Sequence, residues 1–180
     1  MAEARIPFPG GAKDVLRLYL DETDRQMARA FRRQVKKEAR IRDRIALAVR
    51  LKIGAFGKHR EATRRAVIAL ALPSAADLAA ASLWRTVDMI WKVLGDTSVD
   101  FNFYSRRALL AAVYSSTLMY WLADESENYA ETEAFLDRRI GDVMKIQKTK
   151  AGRECLTEAL EACVRGAGRL RYFGHARLTL

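Results

Sequence analysis

Gly95-Asp96-Thr97-Ser98-Val99-Asp100-Phe101-Asn102-Phe103-Tyr104-Ser105-Arg106-Arg107-Ala108-Leu109-Leu110-Ala111-Ala112-Val113-Tyr114 holds one helix end, one polar turn and the start of another helix. Glycine just past an apolar run is a natural helix terminator, because it enters the left-handed region at no steric cost. Asp96 to Asp100 is rich in side chains that cap free backbone groups. From Phe103 to about Ala123 the pattern is helical, and beyond Arg106 and Arg107 it carries almost no charge. A helix that is apolar on every side is buried or lines a cavity. The spacing therefore predicts an all-α bundle.

Upstream, Ser74-Ala75-Ala76-Asp77 follows Pro73 and reads as a capping box opening a fourth helix, which runs to Leu94. Its inner stripe is Leu83, Trp84, Val87, Ile90, Trp91 and Leu94. Three helices precede it. Ala12 to about Glu38 carries Val15, Leu16, Tyr19, Leu20 and Met27 on one stripe and ends in the basic run Arg32-Arg33-Gln34-Val35-Lys36-Lys37. Ile41 to about Phe56 stacks Ile45, Val49 and Ile53, and Glu61 to Leu72 forms the third. Downstream, Asn128 with Glu131 is expected to cap a sixth helix reaching about Lys150, and a seventh spans roughly Gly152 to Tyr172. The organisation is an irregular lead-in over 1–11, a helical domain over 12–150, and an amphipathic helix with tail over 151–180.

Half of the 180 residues are apolar, and only three prolines and ten glycines interrupt them, which suits one helical domain with a real core. The formal charge of +10 draws nucleic acid, anionic lipid or acidic protein, or simply reflects Arg-rich helical faces. Cys155 and Cys163 are eight positions apart on one expected helix, roughly 12 Å, too far for a disulfide; a reducing compartment fits. Met1 to Arg5 shows neither a secretory core nor a transit peptide, and Ala108 to Ala123 is too short to span a bilayer. A soluble or peripheral protein is expected.

Catalysis needs convergent groups, and few exist. His59 and His175 lie far apart in basic stretches, and no Glu-x-x-His, Cys-x-x-Cys or phosphate-loop pattern occurs. Asp88 falls between Trp84 and Trp91 on the helical wheel, where an ion pair with an arginine such as Arg107 is the simpler expectation than a proton-transfer role. No enzyme activity, cofactor or metal is expected. Three features point instead to binding. Aromatic and methionine side chains crowd helices four and five, including Met119 and Tyr120. Trp84, Met89, Trp91, Leu110, Tyr114, Leu118 and Trp121 are the candidate lining of an elongated apolar pocket, against the plainer reading as core. Asp100-Phe101-Asn102-Phe103-Tyr104 either staples a turn to the core or forms a protein-binding patch. In the last helix, Leu156, Leu160 and Val164 share one side. With Arg169, Leu170, Tyr172 and Phe173 they fit an interfacial membrane contact, or else a packed or dimerising helix.

The opening stretch is similar to the signature of the coenzyme Q accessory family. So are Trp84-Arg85-Thr86-Val87-Asp88-Met89-Ile90-Trp91, Phe135-Leu136-Asp137-Arg138-Arg139-Ile140 and Ile41 to Leu51, in the same order. The resemblance implies a helical bundle like the ligand-binding and dimerisation domain of tetracycline-repressor-family regulators. It also implies a homodimer that binds isoprenoid quinone or another lipid, docks on the demethoxyubiquinone hydroxylase, and reaches the membrane surface through its C-terminal helix. By position, the hydroxylase-facing patch would include Ile90, Leu94, Asp100, Phe103, Tyr104 and Arg107. Phe103 stands where the family usually has Trp, which removes indole area and an N–H donor. The family's helix-turn-helix-like head is expected to be missing here, since Ile6-Pro7-Phe8-Pro9-Gly10-Gly11 looks like the junction after it. No specific nucleic-acid binding is then expected. The implied location is the bacterial cytoplasm, peripheral to the inner membrane, or the mitochondrial matrix side in a eukaryote. The alternative function is a ligand-responsive transcription regulator of the tetracycline-repressor type.

Overall fold

The computed structural model describes residues 8–36, 39–95 and 101–148. Six α-helices account for most of them: α1 Ala12–Gln34, α2 Ile41–Phe56, α3 Arg60–Leu70, α4 Ala76–Leu94, α5 Phe101–Ala123 and α6 Ala130–Lys148. No strand occurs among the described residues, as the absence of two-residue alternation predicts. The seventh expected helix lies outside the described residues, and with it Leu156, Leu160, Val164, Arg169, Leu170, Tyr172, Phe173 and both cysteines.

The helix ends expose the local chemistry. α1 stops at Gln34, earlier than expected, where Val35 turns extended and donates its N–H to the Phe31 carbonyl at 2.9 Å. Val35 packs on the core, so burying it competes with continuing the helix. α4 closes as predicted, with Gly95 left-handed at φ 83°. The expected capping box at Ser74–Asp77 does not form. Pro73 starts a short 3-10 turn that runs straight into α4, which Ala75 begins without a side-chain cap. Proline's fixed φ suits a first helical position, so the helical path starts before Ser74 can act as a cap.

The expected cap of α6 also differs. Asn128 takes a left-handed backbone at φ 53° inside a 3-10 turn, and Glu131 accepts a bond from the Tyr120 hydroxyl instead. The helix start is held by Asp124, which accepts from the Thr132 N–H at 2.8 Å, and by Ser126, which accepts from the Glu131 N–H at 3.1 Å.

α2 is the central element. It packs against α1 on one side and against α4, α5 and α6 on the others, while α4–α5 and α5–α6 are neighbours. Met27, Phe31, Val49, Phe56, Ile90 and Leu136 are among the side chains fully removed from water at their meeting. At about 1.5–3 kcal/mol per buried large apolar side chain, this core is the main stabilising term. Among the described residues no single helix is long and apolar enough to cross a membrane.

Candidate functional site

A cavity of ≈ 380 Å³ opens at one end of the bundle, between α2, α4, α5 and α6. Ile41 and Ile45 come from the first turns of α2, Trp91 and Leu94 from the last turn of α4, Leu109, Leu110 and Val113 from α5, and Ile140, Val143 and Met144 from α6. Arg106 is the charged side chain on its wall. An apolar chamber of this size with a few polar groups is the usual form of a small-molecule site. Trp91 adds a specific feature. Its side chain is buried and lines the cavity, yet its indole N–H has no hydrogen-bond partner. A buried donor left unpaired is costly.

The seven expected lining residues do not meet in one chamber. Trp91 and Leu110 line this cavity. Tyr114 and Leu118 line a second one of ≈ 180 Å³ between α2, α3, α4 and α5, shared with Phe56, Thr86 and Met119. Trp121 borders a third, of ≈ 120 Å³, at the α5–α6 corner. Trp84 and Met89 line none of these three. The missed lining comes from α2 and α6. Its signal lies in the Ile45–Val49–Ile53 stripe and in the Phe135–Ile140 block, neither of which sequence reading assigned to a pocket wall.

The residues carried over for a protein-binding patch separate by depth. Ile90 is wholly buried, and Leu94 and Arg107 nearly so, because their face of the α4–α5 pair turns inward. Tyr104 is 58% exposed and stacks on Trp84, itself 45% exposed, with ring centroids 6.1 Å apart. Asp100 lies outside the described residues, as does the Phe103 side chain. Arg107 reaches Asp88 at 2.9 Å, the ion pair expected from the helical wheel, and Lys92 adds a second cation at 2.7 Å. Burial works against the Asp88 charge, but the bonds from Lys92 and Arg107 outweigh it and hold the carboxyl below its ordinary value.

A polar cluster that sequence reading missed ties α1, α2 and α4 together. Lys52 Nζ lies 2.6 Å from Thr23 Oγ1 and pairs with Asp24, which also accepts from the Thr86 hydroxyl at 2.9 Å. Burial pushes the Lys52 ammonium below the usual lysine range, against the pull of Asp24. Burial likewise drives the Tyr114 phenol far above the ordinary tyrosine value, with Asp24 adding to it. His59 is exposed. Among the described residues no group of three or more His, Cys, Asp or Glu side chains is placed to hold a metal ion.

Residues 76–147, which include most of the cavity wall, match the COQ9 family. Over that stretch the chain is similar to COQ9 proteins. The COQ9 ubiquinone biosynthesis protein of rat mitochondria is 38% identical over 103 residues, 57% of this chain and 33% of its own length. The human COQ9 is 37% identical over 103 residues, 57% of this chain and 32% of its own. A probable coq9 of Dictyostelium discoideum is 32% identical over 109 residues, covering 61% and 36%. The chain thus spans about a third of the length of the COQ9 relatives it matches. Among solved structures, a TetR transcriptional regulator from Nitrosomonas europaea superposes with a TM-score of 0.58 at 20% identity, covering 71% of this chain and 70% of its own. COQ9-type sequence is therefore carried here on a TetR-like helical fold.

Proposed function

We propose that this chain serves ubiquinone biosynthesis as a non-catalytic lipid-binding accessory protein. The end cavity shelters the tail of an isoprenoid quinone intermediate, and the Tyr104 face presents its head to the demethoxyubiquinone hydroxylase. The single observation that carries this reading is the apolar chamber walled by four helices, with most of its lining in the COQ9-matched stretch. Burying an apolar tail at roughly 25 cal/mol per Å² offsets its removal from a bilayer, so exchange with the membrane stays near balance. The names of the matched rat and human proteins support the pathway and, for a eukaryotic source, a mitochondrial location. Membrane attachment through residues 151–180 and a homodimer complete the reading.

The test is mass spectrometry of organic extracts from protein purified from its own host, beside a Val113→Trp variant whose added ring fills the chamber. Polyprenyl quinones or their precursors should accompany the unchanged protein and be depleted from the variant. Equal extracts from both would remove the cavity from the proposal.

A further inference from the structure

We infer that the end of the bundle where α1 closes and α2 begins is a docking face for an anionic membrane surface, which seats the mouth of the cavity on the bilayer. The inference rests on the reading of that cavity as a lipid site. Between positions 29 and 44 the sequence carries eight Lys and Arg against two Asp and Glu. The side chains of Arg32, Arg33, Lys36, Arg40 and Arg42 are all exposed. Arg40 shares a solvent-exposed pair with Asp43 at 3.4 Å, whereas the other four make no ion pair among the described residues. Among the described residues, Asp88 is engaged by Lys92 and Arg107, and Asp142 by Arg139.

The cavity is at this same end. It is lined by the start of α2, the end of α4 and the last turns of α6, and the Arg44 guanidinium donates to the Leu94 carbonyl at 2.8 Å, joining the first two of these. Ile41 connects the charged face to the chamber. It is 44% exposed, sits between Arg40 and Arg42, and lines the cavity wall. The opposite end is mixed in charge, with Arg65 exposed beside Glu61. Glu125, Glu127 and Glu131 are exposed there, while Arg60 and Arg64 donate to carbonyls at the close of α5. A molecule charged this way turns its cavity end toward an anionic sheet before contact. Nucleic acid would answer the arginines but has no use for an exposed isoleucine beside an apolar mouth. A membrane with acidic headgroups and an acyl interior answers both.

The test is co-sedimentation of the full chain with vesicles of phosphatidylcholine alone and of phosphatidylcholine mixed with phosphatidylglycerol, at low and physiological salt. Binding should favour the mixed vesicles and weaken as salt rises. At about fivefold per basic residue near a charged surface, the triple variant R32Q/R33Q/K36Q should bind mixed vesicles about a hundredfold more weakly. Ile41→Ser should bind them with similar salt dependence but exchange lipid more slowly. All four positions are exposed, and an unchanged thermal melt confirms that each variant is folded.

Equal binding to neutral and mixed vesicles would overturn the inference. So would a triple variant that sediments like the unchanged chain, or one that loses only its retention of a duplex DNA probe. If L156E/L160E abolishes vesicle binding while the triple variant does not, the contact belongs to the C-terminal segment and the inference again fails. A protein whose extracts hold no lipid, yet whose vesicle binding depends on these arginines, would sink lipid carriage and leave the docking face standing.

Discussion

Lys52 Nζ lies 2.7 Å from Asp24 Oδ1, and both side chains are closed off from solvent. The pair joins the middle of α1 to the last turns of α2, and Thr23 and Thr86 complete its hydrogen bonds. A buried pair returns little net stability over apolar residues of the same size, but removing one partner strands a charge in a low-dielectric interior. Asp24→Ala should therefore cost about 3–5 kcal/mol in urea denaturation. The double change Asp24→Leu with Lys52→Met should recover most of that loss, and a double variant no better than the single would refute a charge-stranding cause.

The α5–α6 corner should be the acid-sensitive part of the fold. Burial works to raise the Asp124 pKa, but bonds from Ser126 and Thr132 outweigh it and hold the carboxyl well below the usual range. Its folded value is thus depressed, so its stabilising contribution is complete above the ordinary carboxyl value of 3.8 and is lost as pH falls from there toward the folded value. Thermal melts recorded from pH 6 down to pH 2 should fall less steeply for Asp124→Asn than for the unchanged chain. Parallel curves would show that Asp124 does not govern that limb.

Tyr104 offers the cleanest test of a protein-binding face, because its ring is solvent-facing and its loss empties no core site. Tyr104→Ala should weaken co-purification of the demethoxyubiquinone hydroxylase by at least about thirtyfold, in the range of an interface hot spot. The melting temperature should stay unchanged. Undiminished hydroxylase capture would take Tyr104 out of the interface.

The Trp91 ring at the chamber wall predicts a contribution from apolar area. Trp91→Leu should release a polyprenyl quinone about tenfold more readily, about 1.4 kcal/mol of lost contact. Competition binding on unchanged and variant protein measures this, and equal affinity would take Trp91 out of the wall.

Much of this fold was legible in the residues. Glycine at position 95 and the charge-free run after Arg107 fixed α4 and α5, since both rest on local rules of backbone and burial. The Asp88–Arg107 pair could be anticipated from wheel position alone. The caps were misread where two local rules compete, with Pro73 starting a turn before Ser74 could cap, and Asp124 outreaching Asn128. The chamber was harder still. Its wall draws on α2 and α6 as much as on the aromatic helices, and which apolar face meets a void rather than a neighbour is decided by packing across the chain. Lys52 gave a signal that went unused: it follows Val49 by three positions, inside the stripe that also holds Ile53 and Phe56.

The chain contains three tryptophans, and the bundle has placed them at three depths. Trp84 is on the surface against Tyr104, Trp91 borders the cavity, and Trp121 is 2% exposed beneath the Arg60 guanidinium. Each therefore emits from a different environment, so the protein carries its own optical gauges. With Trp84 and Trp121 changed to phenylalanine, Trp91 remains as a lamp at the chamber wall, one that a bound quinone would dim. The filling of the cavity then becomes something to watch in real time, with no label attached.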